Sequence, residues 1–196
     1  MAPRKRQGLS FRRKESHFHI DKVKKFLIWP AQGAIMVLLA FAFVYLFGIR
    51  TSVIGMSMQP TLTGGQEILI DRFSYLLTSP KQNDVIVFLP NGNENAHYYV
   101  KRIVGTPGDT VLISDGLLYV NGSICDDTGI FDRIADGGIA ESGVTLGDDE
   151  YFVLGDNRND SEDSRSSNIG VVRRSYIIGK AWFHLKSADA HMGFIQ

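Results

Sequence analysis

Residues 111–122 read VLISDGLLYVNG, two apolar runs on either side of Asp115-Gly116. Both Asp and Gly tolerate positive φ, which a two-residue turn between antiparallel strands demands, so the stretch predicts a β-hairpin. Asn121-Gly122 has the same chemistry and starts the next turn. The texture repeats in both directions. Short apolar or alternating runs, bounded by Gly, Pro, Asn and Asp, fall at 67–70, 84–89, 97–104, 110–113, 117–120, 151–154 and 177–185. No amphipathic pattern of ten or more residues follows residue 50. Residues 50–196 therefore read as one largely antiparallel β domain. Within it, 122–149 is rich in Gly and Asp and reads as a loop or a small subdomain insertion.

Residues 26–49 differ in kind: FLIWPAQGAIMVLLAFAFVYLFGI carries no charge. A helix of that length reaches ~36 Å, enough to cross a ~30 Å hydrocarbon core with some tilt. Pro30 sits near its expected start, where a missing backbone donor matters least. Trp29 and Tyr45 lie toward the two ends, as interfacial aromatics do. Charge divides at the same place. Residues 1–25 hold nine Lys/Arg and two acids, a net of +7, and residues 26–196 hold twelve and nineteen, a net of −7. By the positive-inside rule, the basic arm stays cytoplasmic and everything past Arg50 lies across the cell membrane, as a single-pass protein. A buried core helix would be long at this length. A cleaved leader would end its apolar core at a small-residue site, yet Ala40-Phe41-Ala42 lies inside the run, so an uncleaved anchor fits better. Anionic lipid is the simpler partner for the arm, and no nucleic acid is expected.

A single cysteine, Cys125, excludes an intramolecular disulfide and any multi-cysteine zinc or iron–sulfur site. The histidines are scattered, with no two beyond the arm at ligand spacing, and His17 and His19 in the arm have no partner constellation. Neither a metal nor another cofactor is expected. Chemistry concentrates instead in three islands: GMSMQPTL at 55–62, KRIVGTPGD at 101–109 and GDNRNDSEDSR at 155–165. Taken singly, each has an ordinary reading, as a turn serine, a solvent-facing strand lysine and a solvated loop. Alternation weakens that reading for Lys101. Tyr99, Lys101 and Ile103 share one face of a strand, and Val100, Arg102 and Val104 share the other. If the first face is covered, the amine is poorly solvated and its pKa falls.

Taken together, the islands resemble bacterial type I signal peptidase, the membrane-bound serine protease that removes signal peptides. SMQPTL matches the family's Ser-Met-x-Pro-Thr-Leu box, KRIVGTPGD its Lys-Arg-x-x-Gly-x-Pro-Gly-Asp box, and GDNRNDSEDSR its Gly-Asp-Asn-Arg-x-x-Ser-x-Asp-Ser-Arg box. The resemblance covers about residues 26–185. It implies a mainly β peptidase domain, an antiparallel sheet or partly open barrel, behind one transmembrane helix. Ser57 would be the nucleophile and Lys101 the general base, forming an acyl-enzyme after small-x-small sites of the Ala-x-Ala type. Ser161 would hydrogen-bond and orient the lysine amine, and Asp163 and Arg165 would form a supporting ion pair. Asp156 and Arg158 would brace the same loop. Val53, Ile54, Met58, Leu62, Tyr99 and Val100 would wall shallow apolar pockets, with core packing an equal alternative for each. Some members carry a serine two residues before the nucleophile as an oxyanion donor; Gly55 stands there in this chain, so the second donor is open. The implied partners are signal-peptide-bearing precursors and membrane lipid, and the implied enzyme is a monomer.

The physics agrees with a lysine base. An ordinary lysine, with pKa ~10.4, is neutral in about one molecule in several thousand at pH 7. A base near ~7–8 is far more useful. A fall of ~3 units amounts to about 4 kcal/mol against the charged form, which burial can supply and neighbouring carboxylates would oppose. Three rivals remain. In a His-based protease, His97 would share the strand face with Lys101 at ~13 Å, but only one of them reaches Ser57. No carboxylate nearer than Glu94 would orient that histidine. A processing peptidase dedicated to one partner, such as a pilin or a conjugative-transfer protein, keeps the dyad and narrows the substrate. A catalytically silent binding platform on the same anchor is the third.

Overall fold

The computed structural model describes residues 20–47, 49–125, 131–185 and 192–195. The basic arm up to residue 19, with His17 and His19, lies outside them, as do residues 126–130 of the 122–149 segment. Helix α1 spans Ile20–Phe47. Its stretch Phe26–Tyr45, mean hydropathy 2.1 and none of it buried, is long and apolar enough to cross a membrane. The helix begins before the apolar run because Lys22, Lys24 and Lys25 are good helix formers. Pro30 therefore falls in the helix interior rather than near its start, and removes one backbone hydrogen bond there.

In chain order the strands are β1 (Ile49–Ser52), β2 (Glu67–Asp71), β3 (Val85–Phe88), β4 (Tyr99–Gly105), β5 (Thr110–Ser114) and β6 (Leu117–Val120). They continue with β7 (Ser123–Ile124), β8 (Val144–Thr145), β9 (Glu150–Leu154), β10 (Val172–Arg173), β11 (Ile177–His184) and β12 (Gly193–Phe194). A single short helix, α2 (Ser74–Leu77), follows β2. The larger sheet runs β1-β2-β11-β3-β4-β9-β10, with β12 added to β11, and the smaller runs β7-β6-β5-β8. Every pairing is antiparallel. This is the mainly antiparallel β architecture behind one apolar helix that the sequence predicts.

The decisive hairpin forms as its turn chemistry requires. Ser114 pairs with Leu117 across Asp115 and Gly116, whose φ values are 53° and 75°. Asn121 and Gly122, at 54° and 77°, make the second turn, from β6 into β7. The described parts of 122–149 supply both edges of the smaller sheet, β7 and β8. Each is two residues long, too short to leave an alternation pattern.

Strand β4 is the element that positions chemistry. It is paired to β3 on one side and to β9 on the other. Val100 packs with Val53, Met58, Leu62 and Val87, whereas Ile103 packs with Phe88, Tyr151 and Val153. With apolar clusters on both faces, everything from Val100 to Gly105 is buried, and Lys101 and Arg102 are carried into the interior with it.

Candidate active site

Ser57 lies in the connection between β1 and β2. That loop is closed at its base by Val53 N–H to the Gln66 carbonyl (2.9 Å) and Gly65 N–H to the Val53 carbonyl (2.8 Å). Met58 and Leu62, both 0% exposed, are pegs driven into the cluster that also holds Val53, Ile68 and Val100. Leu62 N–H donates to the Met58 carbonyl at 2.8 Å, so the peg residues are joined by one helical-type turn. The Gln59–Pro60 peptide is cis. Ser57 thus sits at the lip of a turn whose far side is buried.

Lys101 is 4% exposed, and its Nζ lies 2.6 Å from Ser57 Oγ. Burial holds its pKa down at about 8, against the pull of Asp163, Glu162 and Asp156, whose charges raise it. Arg165 pushes in the same direction as burial. Two of those carboxylates are already committed. Asp156 accepts Arg102 Nε and Nη2, both at 2.8 Å, and Thr61 Oγ1 at 2.5 Å. Asp163 accepts Arg165 Nε and Nη2, also at 2.8 Å, and Gly155 N–H at 3.0 Å. Among the described residues, no carboxylate lies within ion-pair distance of the Lys101 amine.

The loop after β9 completes the site. Asn157 N–H donates to the Ser57 carbonyl (3.0 Å), and its side-chain amide donates to the Met56 carbonyl (3.3 Å). This approach depends on Gly155. A Cβ there would stand 2.1 Å from Ser161 Oγ and 2.5 Å from the Ser57 carbonyl oxygen, so no larger residue fits between them. Beside the Ser57–Lys101 pair opens a cleft of about 330 Å³, walled by Val53, Ile54, Tyr99 and Val100 and rimmed by His97, Asp160 and Glu162. A hydroxyl held against an amine that gives up its proton readily, at the bottom of an apolar cleft, is equipped for acyl transfer without histidine.

The family described as signal peptidase, peptidase S26, matches residues 27–185. The chain belongs to that family. It is 38% identical over 165 residues to a probable signal peptidase I-2 of Synechocystis sp., covering 79% of this chain and 72% of that protein. It is 34% identical over 176 residues to signal peptidase I P of Bacillus subtilis subsp. natto, covering 86% and 89%. A crystal structure of a signal peptidase I from Enterococcus faecalis V583 aligns over 53% of this chain and 97% of its own, at 29% identity and a TM-score of 0.39.

Within this signal peptidase the residues expected at the site divide. Val53, Ile54, Tyr99 and Val100 line the cleft. Met58 and Leu62 do not: both side chains point away from the cleft into the core, because the turn at Ser57 can expose only one side. Asp163 and Arg165 form the expected ion pair, with Asp163 wholly buried. The Ser161 hydroxyl is buried and has no hydrogen-bond partner among the described residues, so the expected bond to the lysine amine is not made in this structure. Gly55 adopts φ +74°, where a serine would be strained, which gives a backbone reason for its departure from the other branch.

Sequence reasoning missed the Arg102–Asp156–Thr61 link, which ties the base strand, the last loop and the nucleophile turn together. Arg102 also donates to the Asn83 carbonyl at 3.0 Å. The signal was present, since Thr61, Arg102 and Asp156 each lie inside one of the three islands. Their mutual pairing, however, spans 41 to 95 positions. Arg158, expected as a brace, is 2% exposed, donates to the Gly155 carbonyl and lies 4.4 Å over the Phe131 ring.

Proposed function

We propose that this chain is a membrane-anchored serine endopeptidase, a signal peptidase I, that removes signal peptides from exported precursors with Ser57 as nucleophile and Lys101 as general base. The observation that carries the reading is the 2.6 Å separation of an almost wholly buried amine from the serine hydroxyl. Neutral Lys101 takes the Ser57 proton as Oγ attacks the scissile carbonyl. The resulting ammonium then returns that proton to the leaving amine, so the peptide bond breaks and an ester to Ser57 remains. Water, deprotonated by the same lysine, attacks the ester; the bond to Ser57 Oγ breaks, the ammonium returns its proton to that oxygen, and the signal peptide leaves with its new carboxyl group. That the Ser57 N–H has no acceptor among the described residues supports its assignment as a donor to the developing oxyanion.

Substrate enters as an extended strand. Among the described residues β4 pairs with β9 at Arg102, Ile103 and Gly105 and with no strand on that side at Tyr99–Lys101, an edge that can take a peptide on the cleft side. The cleft walls admit small side chains, in keeping with small-x-small recognition by Val53, Ile54, Tyr99 and Val100. Ser161, whose orphaned hydroxyl lies beside Gly155 together with the Ser57 carbonyl, orients the amine once it turns toward it. Both groups of the dyad come from one chain, so a monomer suffices. The net +7 of residues 1–25 keeps the N-terminus cytoplasmic, and the catalytic domain lies on the outer face, supported by α1 in the lipid.

The test is cleavage of a panel of secretory precursors by the full chain in detergent, beside Ser57→Ala and Lys101→Ala. Cutting of many precursors by wild type and none by either variant is the expected result. Cutting of a single precursor would favour a dedicated processing peptidase. Full cellular function of Ser57→Ala would favour a silent platform.

A further inference from the structure

Two carboxylates stand on the rim of the cleft and take no part in the proton transfers described above. Asp160 and Glu162 both line the cleft, and both are exposed. They fall at open positions of the third box, Gly-Asp-Asn-Arg-x-x-Ser-x-Asp-Ser-Arg, which demands an acid at neither. The loop nevertheless holds them in place. Asp160 N–H donates to the Asn157 carbonyl at 3.2 Å, and Asn157 is itself bound to the nucleophile turn. Glu162 accepts the Tyr99 hydroxyl at 3.3 Å and the Asn168 amide at 3.4 Å, two neutral donors that leave its charge in place. Neither carboxylate has an ion-pair partner among the described residues.

Charge along the cleft is therefore one-sided. The basic side chains that line it are His97 and Lys101, and Lys101 acts as a base only when neutral. The arginines nearest the dyad are engaged elsewhere, Arg102 by Asp156 and Arg165 by Asp163. A peptide lying in the cleft meets two negative charges that no arginine offsets. Side chains alternate along an extended peptide. With the small residues of a small-x-small site turned into the cleft, x and the first residue after the cut bond both turn the other way. A Lys or Arg at either position lays its alkyl stem over the apolar wall and carries its charge out to the rim.

We propose that Asp160 and Glu162 are specificity-determining residues that favour substrates with Lys or Arg at x or at the first position after the cut bond. The proposal rests on the dyad reading above and names the substrates that the same cleft prefers. Both carboxylates are exposed, so the selection is graded rather than absolute.

The test uses the full chain in detergent and short peptides with Ala at both small positions. They differ only in having Lys, Gln or Glu at x, or at the first position after the bond. At one or both positions, kcat/KM for the Lys peptide is expected to exceed that for the Gln peptide by about three- to tenfold, with the Glu peptide slower still. The Lys-to-Gln ratio should fall toward one in Asp160→Asn with Glu162→Gln, and should shrink in about 0.5 M salt. It should persist in Asp148→Asn, which removes an exposed acid that does not line the cleft. Equal rates for Lys and Gln at both positions would overturn the proposal. So would a ratio that survives the double variant, or one that Asp148→Asn lowers as much, since the rim would then not be its source. Failure of wild type to cut any peptide would count against the dyad reading. The preference is then read from binding of the same peptides, fluorescently labelled, to Ser57→Ala, where equal Kd values for Lys and Gln would overturn it.

Discussion

Lys101 and Arg102 are consecutive on β4 and both nearly inaccessible, yet the two faces they occupy treat positive charge in opposite ways. On the Arg102 face the guanidinium is matched by both oxygens of Asp156 and by a backbone carbonyl. On the Lys101 face the nearest polar partner is a neutral hydroxyl. The contrast follows from the two side chains. A guanidinium stays protonated, so a buried arginine must be paired, whereas a buried lysine can shed its proton. By engaging Asp156 and Asp163 with Arg102 and Arg165, the fold keeps carboxylates close to the site without pairing them with the lysine amine, so burial outweighs their pull on its pKa.

The comparison breaks most severely at the dyad. Lys101→Ala is expected to lower precursor cleavage by about 10³-fold or more, because the proton acceptor is lost while the fold remains. His97→Ala should stay within a few-fold, since His97 only rims the cleft; equal losses would mean that the lysine face is not special. On the other face the damage is to stability. Asp156→Ala strands a buried guanidinium and should cost about 3–5 kcal/mol, read as a fall in the denaturant midpoint of the extramembrane domain.

Lys101→Met sharpens the contrast by running the other way. A pKa brought from 10.5 to about 8 corresponds to on the order of 3 kcal/mol against the charged amine inside the fold. Below pH 8 the amine is protonated in both folded and unfolded chains, so the wild type carries that penalty in full. Between pH 8 and 10.5 the folded chain has released the proton while the unfolded chain still binds it, so wild-type stability rises with pH. The inactive methionine variant should therefore unfold at a higher temperature near neutral pH, with an advantage that shrinks through that window. Smallest is Glu162→Gln. Removing a charge that raises the Lys101 pKa should move the acid limb of activity to lower pH, and added salt should reduce the difference because Glu162 is exposed.

Much of this was legible from residue order and spacing. The hairpins at Asp115-Gly116 and Asn121-Gly122 are readable because few residue pairs accept the φ values their turns need. The covered lysine is readable because alternation places Tyr99 and Ile103 beside it. What escaped is what irregular backbone decides. No periodicity runs through 53–62, so nothing local separates Ile54, which faces the cleft, from Met58 and Leu62, which face the core. Closure of the turn over its apolar pegs makes that division. The Arg102–Asp156–Thr61 link and the idle hydroxyl of Ser161 are likewise products of three distant segments meeting, and the short strands β7, β8, β10 and β12 exist only because longer neighbours pair with them.

The most direct test of a lysine whose pKa burial brings down to about 8 is the pH dependence of kcat/KM for a short peptide substrate, with the full chain in detergent. Activity should rise with pH through a single ionisation near 8, unaffected by His97→Ala and shifted by Glu162→Gln. An acid limb near ~6.5 that disappears in His97→Ala, or one still climbing at an ordinary lysine's ~10.4, would contradict it.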